Sequence, residues 1–228
     1  MQKVLVIGAS RGIGLEFVRQ YREAGAQVWA TARGEHLKAV EALGATAWAL
    51  DVADAAGASS LSWRLDGLGL DLGVYCAGVY GPDTAGLEPP TQADFDAVMH
   101  VNVLGAMRLL PVVAEGLAPG GRLAVISSVM ASIGARSSPS AWLYRASKAA
   151  LNSVLKDAAL ALQDRAICVA LHPGWVRTDM GGPSATLSVE ESVAAQRRVL
   201  AMLTRRIATT GDALLEQGGR IAFVGPTG

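Results

Sequence analysis

Charge is scarce in this chain and balanced where it occurs. Charged residues make up 18% of the sequence, and 20 Lys and Arg face 20 Asp and Glu for a formal net charge of zero. Without a basic excess there is no electrostatic footprint for nucleic acid, and without a polybasic stretch there is none for anionic lipid. Cysteine is nearly missing. Cys76 and Cys168 are the only two, both fall in expected strands without metal-ligand spacing, and they read as reduced core residues. His36, His100 and His172 are scattered, so no metal site is expected. The N-terminal apolar run VLVI is cut short by Gly8. It is too brief for a signal peptide or a membrane span, and a cytoplasmic location is the expectation.

What is abundant is apolar side chain, at 51% of the 228 residues. That excludes disorder and suits a sheet buried on both faces, whose strands read as continuous apolar runs. The length suits a single domain, residues 1–228, with a substantial core.

Strand and helix patterns alternate from the first residues. KVLVI (3–7), QVWAT (27–31), TAWAL (46–50), LGVYC (72–76), RLAVIS (122–127), AICVA (166–170) and RIAFV (220–224) read as seven strands. Helices are expected up to Gly25, over 35–43, 54–65 and 93–117 (bent at Pro111, which lacks a donor), from 142 to 163, and over 188–207. Strict alternation specifies an α/β, doubly wound, seven-stranded parallel sheet with helices on both faces. Right-handed crossovers place the ligand crevice at the carboxyl ends of the strands. The loops 78–91, 129–141 and 173–187 all follow strand ends, where a substrate site is expected.

The first turn reads IGASRGIG, with Gly8, Gly12 and Gly14 between a buried strand and a helix. Glycines there permit a tight turn, close approach of backbone to a pyrophosphate, and close helix–strand packing. A glycine triplet alone is a weak signal. Its place between the first strand and the first helix makes nucleotide binding the expectation. A second local signal is WLYRASKAALNSV (142–154), where Tyr144 and Lys148 stand one helical turn apart on one face. Either the tyrosine packs and the lysine reaches for solvent, or an ammonium is held near a phenol that moves a proton.

The spacing G-x-x-x-G-x-G resembles the short-chain dehydrogenase/reductase family. The resemblance continues in order through Asp51-Val52, CAG (76–78), Asn102, ISS (126–128), YRASK (144–148) and HPGWVRTDM (172–180), covering nearly the whole chain. YRASKAALN with HPGWVRTDMGGP is most similar to the C-factor-like and sniffer-like carbonyl reductase branch. The resemblance implies a Rossmann fold and an oxidoreductase that moves a hydride between a nicotinamide and a carbonyl or secondary alcohol. It implies a catalytic set of Asn102, Ser128, Tyr144 and Lys148, with Ser127 the lesser candidate for the serine. Tyr144 would move the proton, Ser128 would polarise the substrate oxygen, Lys148 would lower the phenol pKa and bind the ribose, and Asn102 would hold a relay water.

Implied cofactor contacts come from Gly8, Ser10, Arg11, Gly12, Ile13 and Gly14 in the first turn, and from Arg33, Asp51, Val52, Ala77 and Gly78 at the next strand ends. Pro173, Gly174, Val176 and Thr178 complete them, with Asn102, Tyr144 and Lys148 shared. NADP(H) is expected over NAD(H), because Arg33 stands where an acidic residue would bind a ribose hydroxyl and Arg11 sits inside the glycine turn. The alternative is that both arginines are merely solvated. A small-molecule substrate, no nucleic acid, no membrane and a homodimer or homotetramer are the expected partner set. Tyr80, Met130, Trp142, Leu143, Trp175 and Met180 are candidates for an apolar substrate pocket, though such residues are as often core. The chain departs from the family at Tyr75-Cys76, where two asparagines are usual, which puts local geometry in doubt. A rival reading is a cofactor-binding regulator with little turnover.

Overall fold

The structure, a computed structural model, describes residues 1–203. Six parallel strands form one sheet: β1 (Lys3–Ile7), β2 (Gln27–Ala32), β3 (Thr46–Ala49), β4 (Leu70–Tyr75), β5 (Leu117–Ile126) and β6 (Ile167–Leu171). Their order is β3-β2-β1-β4-β5-β6. The order reverses between β1 and β4, which is the switch point where such sheets bind ligands. The seventh strand expected at 220–224 lies outside the described residues, as does the end of the helix expected over 188–207.

The helices are α1 (Gly12–Glu23), α2 (Leu37–Ala42), α3 (Ala56–Leu65), α4 (Gln92–Met99), α5 (Gly105–Glu115), α6 (Trp142–Ala161) and α7 (Val189–Met202). Residues of β1 alternate between two cores, as the pleat requires. Leu5 and Ile7 pack with Leu61, Leu109 and Leu151 from α3, α5 and α6. Val4 and Val6 pack on the other face with Phe17, Val40 and Val193 from α1, α2 and α7. Burial on both faces is why the central strands are mostly apolar. Cys168 lies in the first core as expected, whereas Cys76 is only half-buried and faces the cavity described below.

The helix expected over 93–117 is interrupted well before Pro111. A π turn spans His100–Leu104 between α4 and α5, while Pro111 sits inside α5 on its exposed face. The composite helix Gln92–Glu115 is long and apolar enough to cross a membrane, yet 50% of its apolar window is buried inside the fold. The sheet is what its buried face serves.

Candidate active site

At the carboxyl ends of β1 and β4 the backbone comes very close to itself. Gly8 has φ +86°, and a Cβ there would lie 2.7 Å from the Ala77 amide nitrogen. A Cβ on Gly14 would lie 2.2 Å from the Gly8 carbonyl oxygen. Both positions require glycine, the first for its conformation and the second for its bulk. The Ala9 amide donates to the Thr31 carbonyl at 2.8 Å and the Gly8 amide to Thr31 Oγ1 at 3.1 Å, so the turn is fastened to β2. The Arg33 amide donates to Ser10 Oγ at 3.3 Å.

These turns surround a cavity of about 430 Å³. It is lined by Gly8, Ser10, Arg11, Gly12, Ile13 and Gly14, by Arg33, Asp51 and Val52, and by Cys76, Ala77 and Gly78. Thr178, Asp179 and Met180 close the far side. Pro173, Gly174 and Val176 do not line it. The Pro173 carbonyl accepts from Ser192 Oγ at 2.6 Å, Gly174 turns the chain at φ +82°, and Val176 is buried in a bridge to Leu187. The side chains of Arg33 and Arg11 are both exposed, but Arg11 is not free: it forms an ion pair with Asp179 across the cavity mouth. Asp51 Oδ1 accepts from the Ala53 amide at 3.0 Å, an Asx turn that fixes the carboxylate beside Val52.

Tyr144 and Lys148 lie on the buried face of α6, with the Lys148 Nζ 5.7 Å from the Tyr144 ring centroid. Nζ donates to the Ile126 carbonyl at 2.9 Å, and a Cβ on Gly78 would lie 3.2 Å from it. The lysine is therefore buried behind Gly78, whose backbone lines the cavity, rather than in solvent, and Asn102, Ser128, Tyr144 and Lys148 do not themselves line that cavity. Ser128 stands beside the Tyr144 phenol, where its hydrogen-bonding favours the ionised form, and Ser128 Oγ accepts from the Met130 amide at 3.1 Å. Ser127 instead donates to Asn152 Oδ1 at 2.7 Å, which separates the two serine candidates. Asn102 is wholly buried in the π turn. Its Oδ1 accepts from the Val79 amide at 2.8 Å, and its Nδ2 donates to the Val79 carbonyl and to Ser147 Oγ, each at 2.9 Å. The Ser147 hydroxyl in turn donates to the Tyr144 carbonyl at 2.8 Å. Both Nδ2 protons are thus committed, and Asn102 clamps the loop after β4 to the helix that carries Tyr144.

Burial governs the titration of this cluster. It pushes the Tyr144 phenol up to about 12, against the opposing hydrogen bond from Ser128 and with a further rise from neighbouring Tyr80. It pulls the Lys148 ammonium down to about 8. The phenol is therefore raised rather than lowered, because desolvation outweighs the hydrogen bond from Ser128. Burial also lowers His172, whose Nδ1 accepts from the Val129 amide at 3.2 Å and anchors the loop 129–141.

The family departure at Tyr75-Cys76 finds its own solution. Tyr75 is fully buried and its hydroxyl donates to the Val101 carbonyl in the π turn at 2.9 Å. Gly105 makes the space, since a Cβ there would lie 2.8 Å from Tyr75 Oη. Cys76 is a free thiol raised by burial on the cavity wall. Of the candidate pocket residues, Tyr80 packs its ring 4.8 Å from that of Tyr144, Leu143 is buried, and Trp175 and Met180 are exposed. Reading the sequence alone missed Asp179, His172 and Ser147 as parts of the site. Ala141 was missed too: it is the single non-glycine residue at positive φ among the described residues, at the start of α6, with its amide donating to the Thr84 carbonyl at 3.0 Å.

The short chain dehydrogenase profile matches residues 2–186. The chain is 40% identical over 111 residues to C-signal from Myxococcus xanthus, covering 47% of this chain and 67% of that one. A short-chain dehydrogenase/reductase from Burkholderia multivorans with bound NADP superposes with TM-score 0.82 at 33% identity, over 88% of this chain and 90% of that one. The carbonyl reductase Sniffer of D. melanogaster superposes with TM-score 0.79 at 26% identity, over 90% and 94%.

Proposed function

The chain belongs to the short-chain dehydrogenase family, and from that premise we propose that it is an NADP(H)-dependent oxidoreductase interconverting a carbonyl and a secondary alcohol. The observation that carries the reading is the meeting of Ser128, Tyr144 and Lys148 directly behind Gly78, a glycine of the cavity wall. The crevice fits a nicotinamide dinucleotide. Gly8 and Gly14 leave backbone where a side chain would stand, Gly78 brings the cavity wall next to the buried Lys148 ammonium, and the exposed guanidinium of Arg33 suits a 2′-phosphate. NADP in the Burkholderia relative supports the same choice.

When bound, the nicotinamide supplies or accepts the hydride. Tyr144 gives the proton to the oxygen on which charge develops in reduction, and Ser128 holds that oxygen with a second hydrogen bond. A phenol kept protonated by burial is set up as an acid, which favours the reductive direction. Lys148, from 5.7 Å, stabilises the phenolate left behind. Asn102 and Ser147 hold the α6 backbone at Tyr144 against the loop after β4. The likeness to C-signal favours a second reading, a cofactor-binding signalling protein with little turnover. The proton-transfer set argues against it, because binding alone needs neither Tyr144 nor Ser128.

NADPH consumption with aldehydes, ketones and quinones tests the proposal. Turnover is expected, and Tyr144→Phe should lower it by about 10²–10⁴-fold while leaving NADPH binding in place. Turnover by the phenylalanine variant within a few-fold of the parent overturns the role of Tyr144. A parent that binds NADPH and consumes none supports the signalling reading.

A further inference from the structure

Arg11 and Asp179 approach the cavity from opposite walls. Arg11 stands at the start of α1 in the glycine turn, and Asp179 follows Thr178 in the loop after β6. Their ion pair joins residues 168 apart in sequence, and the side chains are 68% and 72% exposed. Arg33 lines the same cavity from the end of β2, and no ion pair engages it among the described residues. The Arg33 amide donates to Ser10 Oγ at 3.3 Å, so the two arginines branch from turns that touch.

We propose that Asp179 is a specificity-determining residue, which competes with the 2′-phosphate of NADP(H) for Arg11. The proposal rests on the NADP(H) reading above. An exposed ion pair between single charges is screened by water and weakly held. A phosphate dianion offers a guanidinium two parallel, charge-assisted hydrogen bonds and is the stronger partner. Arg11 therefore changes partners when NADP(H) enters. The exchange gives up the ion pair and leaves the Asp179 carboxylate facing the incoming phosphate. The 2′-hydroxyl of NAD(H) carries no charge and gives Arg11 no cause to move. Asp179 thus penalises one cofactor and not the other, and moderates the preference that Arg33 sets. If the pair were only a strap across the mouth, its loss would affect both cofactors alike.

Dissociation constants for NADPH and NADH decide between these, measured by calorimetry on the parent, Asp179→Asn, Arg11→Ala and the double variant. Adenosine 2′,5′-bisphosphate and adenosine 5′-monophosphate serve as probes that carry or lack the phosphate without a nicotinamide end. Asp179→Asn should tighten NADPH and the bisphosphate about threefold to tenfold. NADH and the monophosphate should change by less than about twofold. In the Arg11→Ala background the gain should shrink, because the competition for Arg11 is gone and only the direct repulsion between carboxylate and phosphate is left to relieve. No change, or equal change for both members of each pair, overturns the competition. A parent without preference for NADPH overturns the cofactor reading itself, a result distinguishable because it needs no variant.

Discussion

A phenol that keeps its proton to about pH 12 stands one helical turn from an ammonium that yields its own near 8. Both values follow from burial, which disfavours phenolate and ammonium alike. Their order has a consequence for the pH dependence of reduction. Tyr144, the acid under the proposed function, remains protonated across the accessible range, so its titration should not limit the rate. The charge that stabilises the departing phenolate is present below about pH 8 and is lost as pH rises through that value. Reductive kcat/KM should therefore hold up to about pH 8 and decline above it. Lys148→Arg, whose guanidinium does not deprotonate, should keep whatever activity it retains to higher pH. The measurement is a kcat/KM profile from pH 6 to 10. A parent profile flat to pH 10 contradicts the assignment of the alkaline limb to Lys148.

At the scale of elements, the π turn His100–Leu104 shows how a departure from the family pattern is accommodated. Tyr75 at the end of β4 donates to the Val101 carbonyl beside Asn102, and Gly105 leaves room for its hydroxyl. Tyr75→Phe keeps the ring but deletes this part-buried bond, a loss of about 0.5–1.5 kcal/mol. Thermal or denaturant unfolding should show that loss, and a change below about 0.5 kcal/mol, the scatter of surface substitutions, contradicts a structural role for the bond. Much of the sheet was legible in the sequence because runs such as VLVI (4–7) and AICVA are apolar throughout and are buried on both faces. The π turn was not legible. It is decided by Tyr75 and Val52 pressing on Gly105 from other elements, whereas Pro111 gave a local signal that the exposed face of α5 absorbs. The choice between Ser127 and Ser128 also waited on Asn152, which takes the first serine away. The Arg11–Asp179 pair, between exposed residues on distant loops, leaves no periodicity to read.

Across the whole molecule, the crevice walls are carried by helices bonded to one another. Glu16 on α1 accepts from Arg19 Nε at 2.8 Å and from Gln20 Nε2 at 2.7 Å, and Gln20 reaches the Glu190 carbonyl on α7 at 3.0 Å. Arg197 on α7 lies 4.5 Å over the Tyr21 ring. Met107 on α5 and Leu160 on α6 are left 51% and 55% exposed, and a homodimer or homotetramer would cover them. Light scattering at micromolar concentration should give a mass above that of one chain, and a monomer contradicts it. Cofactor binding should be visible in the same global unit, because anything that binds only the folded chain stabilises it in proportion to the logarithm of its concentration over Kd. At 100 times its Kd, NADPH should add about 2.7 kcal/mol, or roughly 5–11 °C in Tm for a chain of this size. If NADH binds tenfold more weakly, the same concentration adds about 1.4 kcal/mol, or roughly 3–6 °C. Arg33→Asp removes the guanidinium, repels the 2′-phosphate and offers the 2′-hydroxyl an acceptor, so the order of the two shifts should invert. The readout needs no substrate and no turnover, so Tyr144→Phe should give the parent's shifts. Equal shifts for both cofactors in the parent, or an order untouched by Arg33→Asp, would show that Arg33 is merely solvated and that cofactor choice is set elsewhere in the crevice.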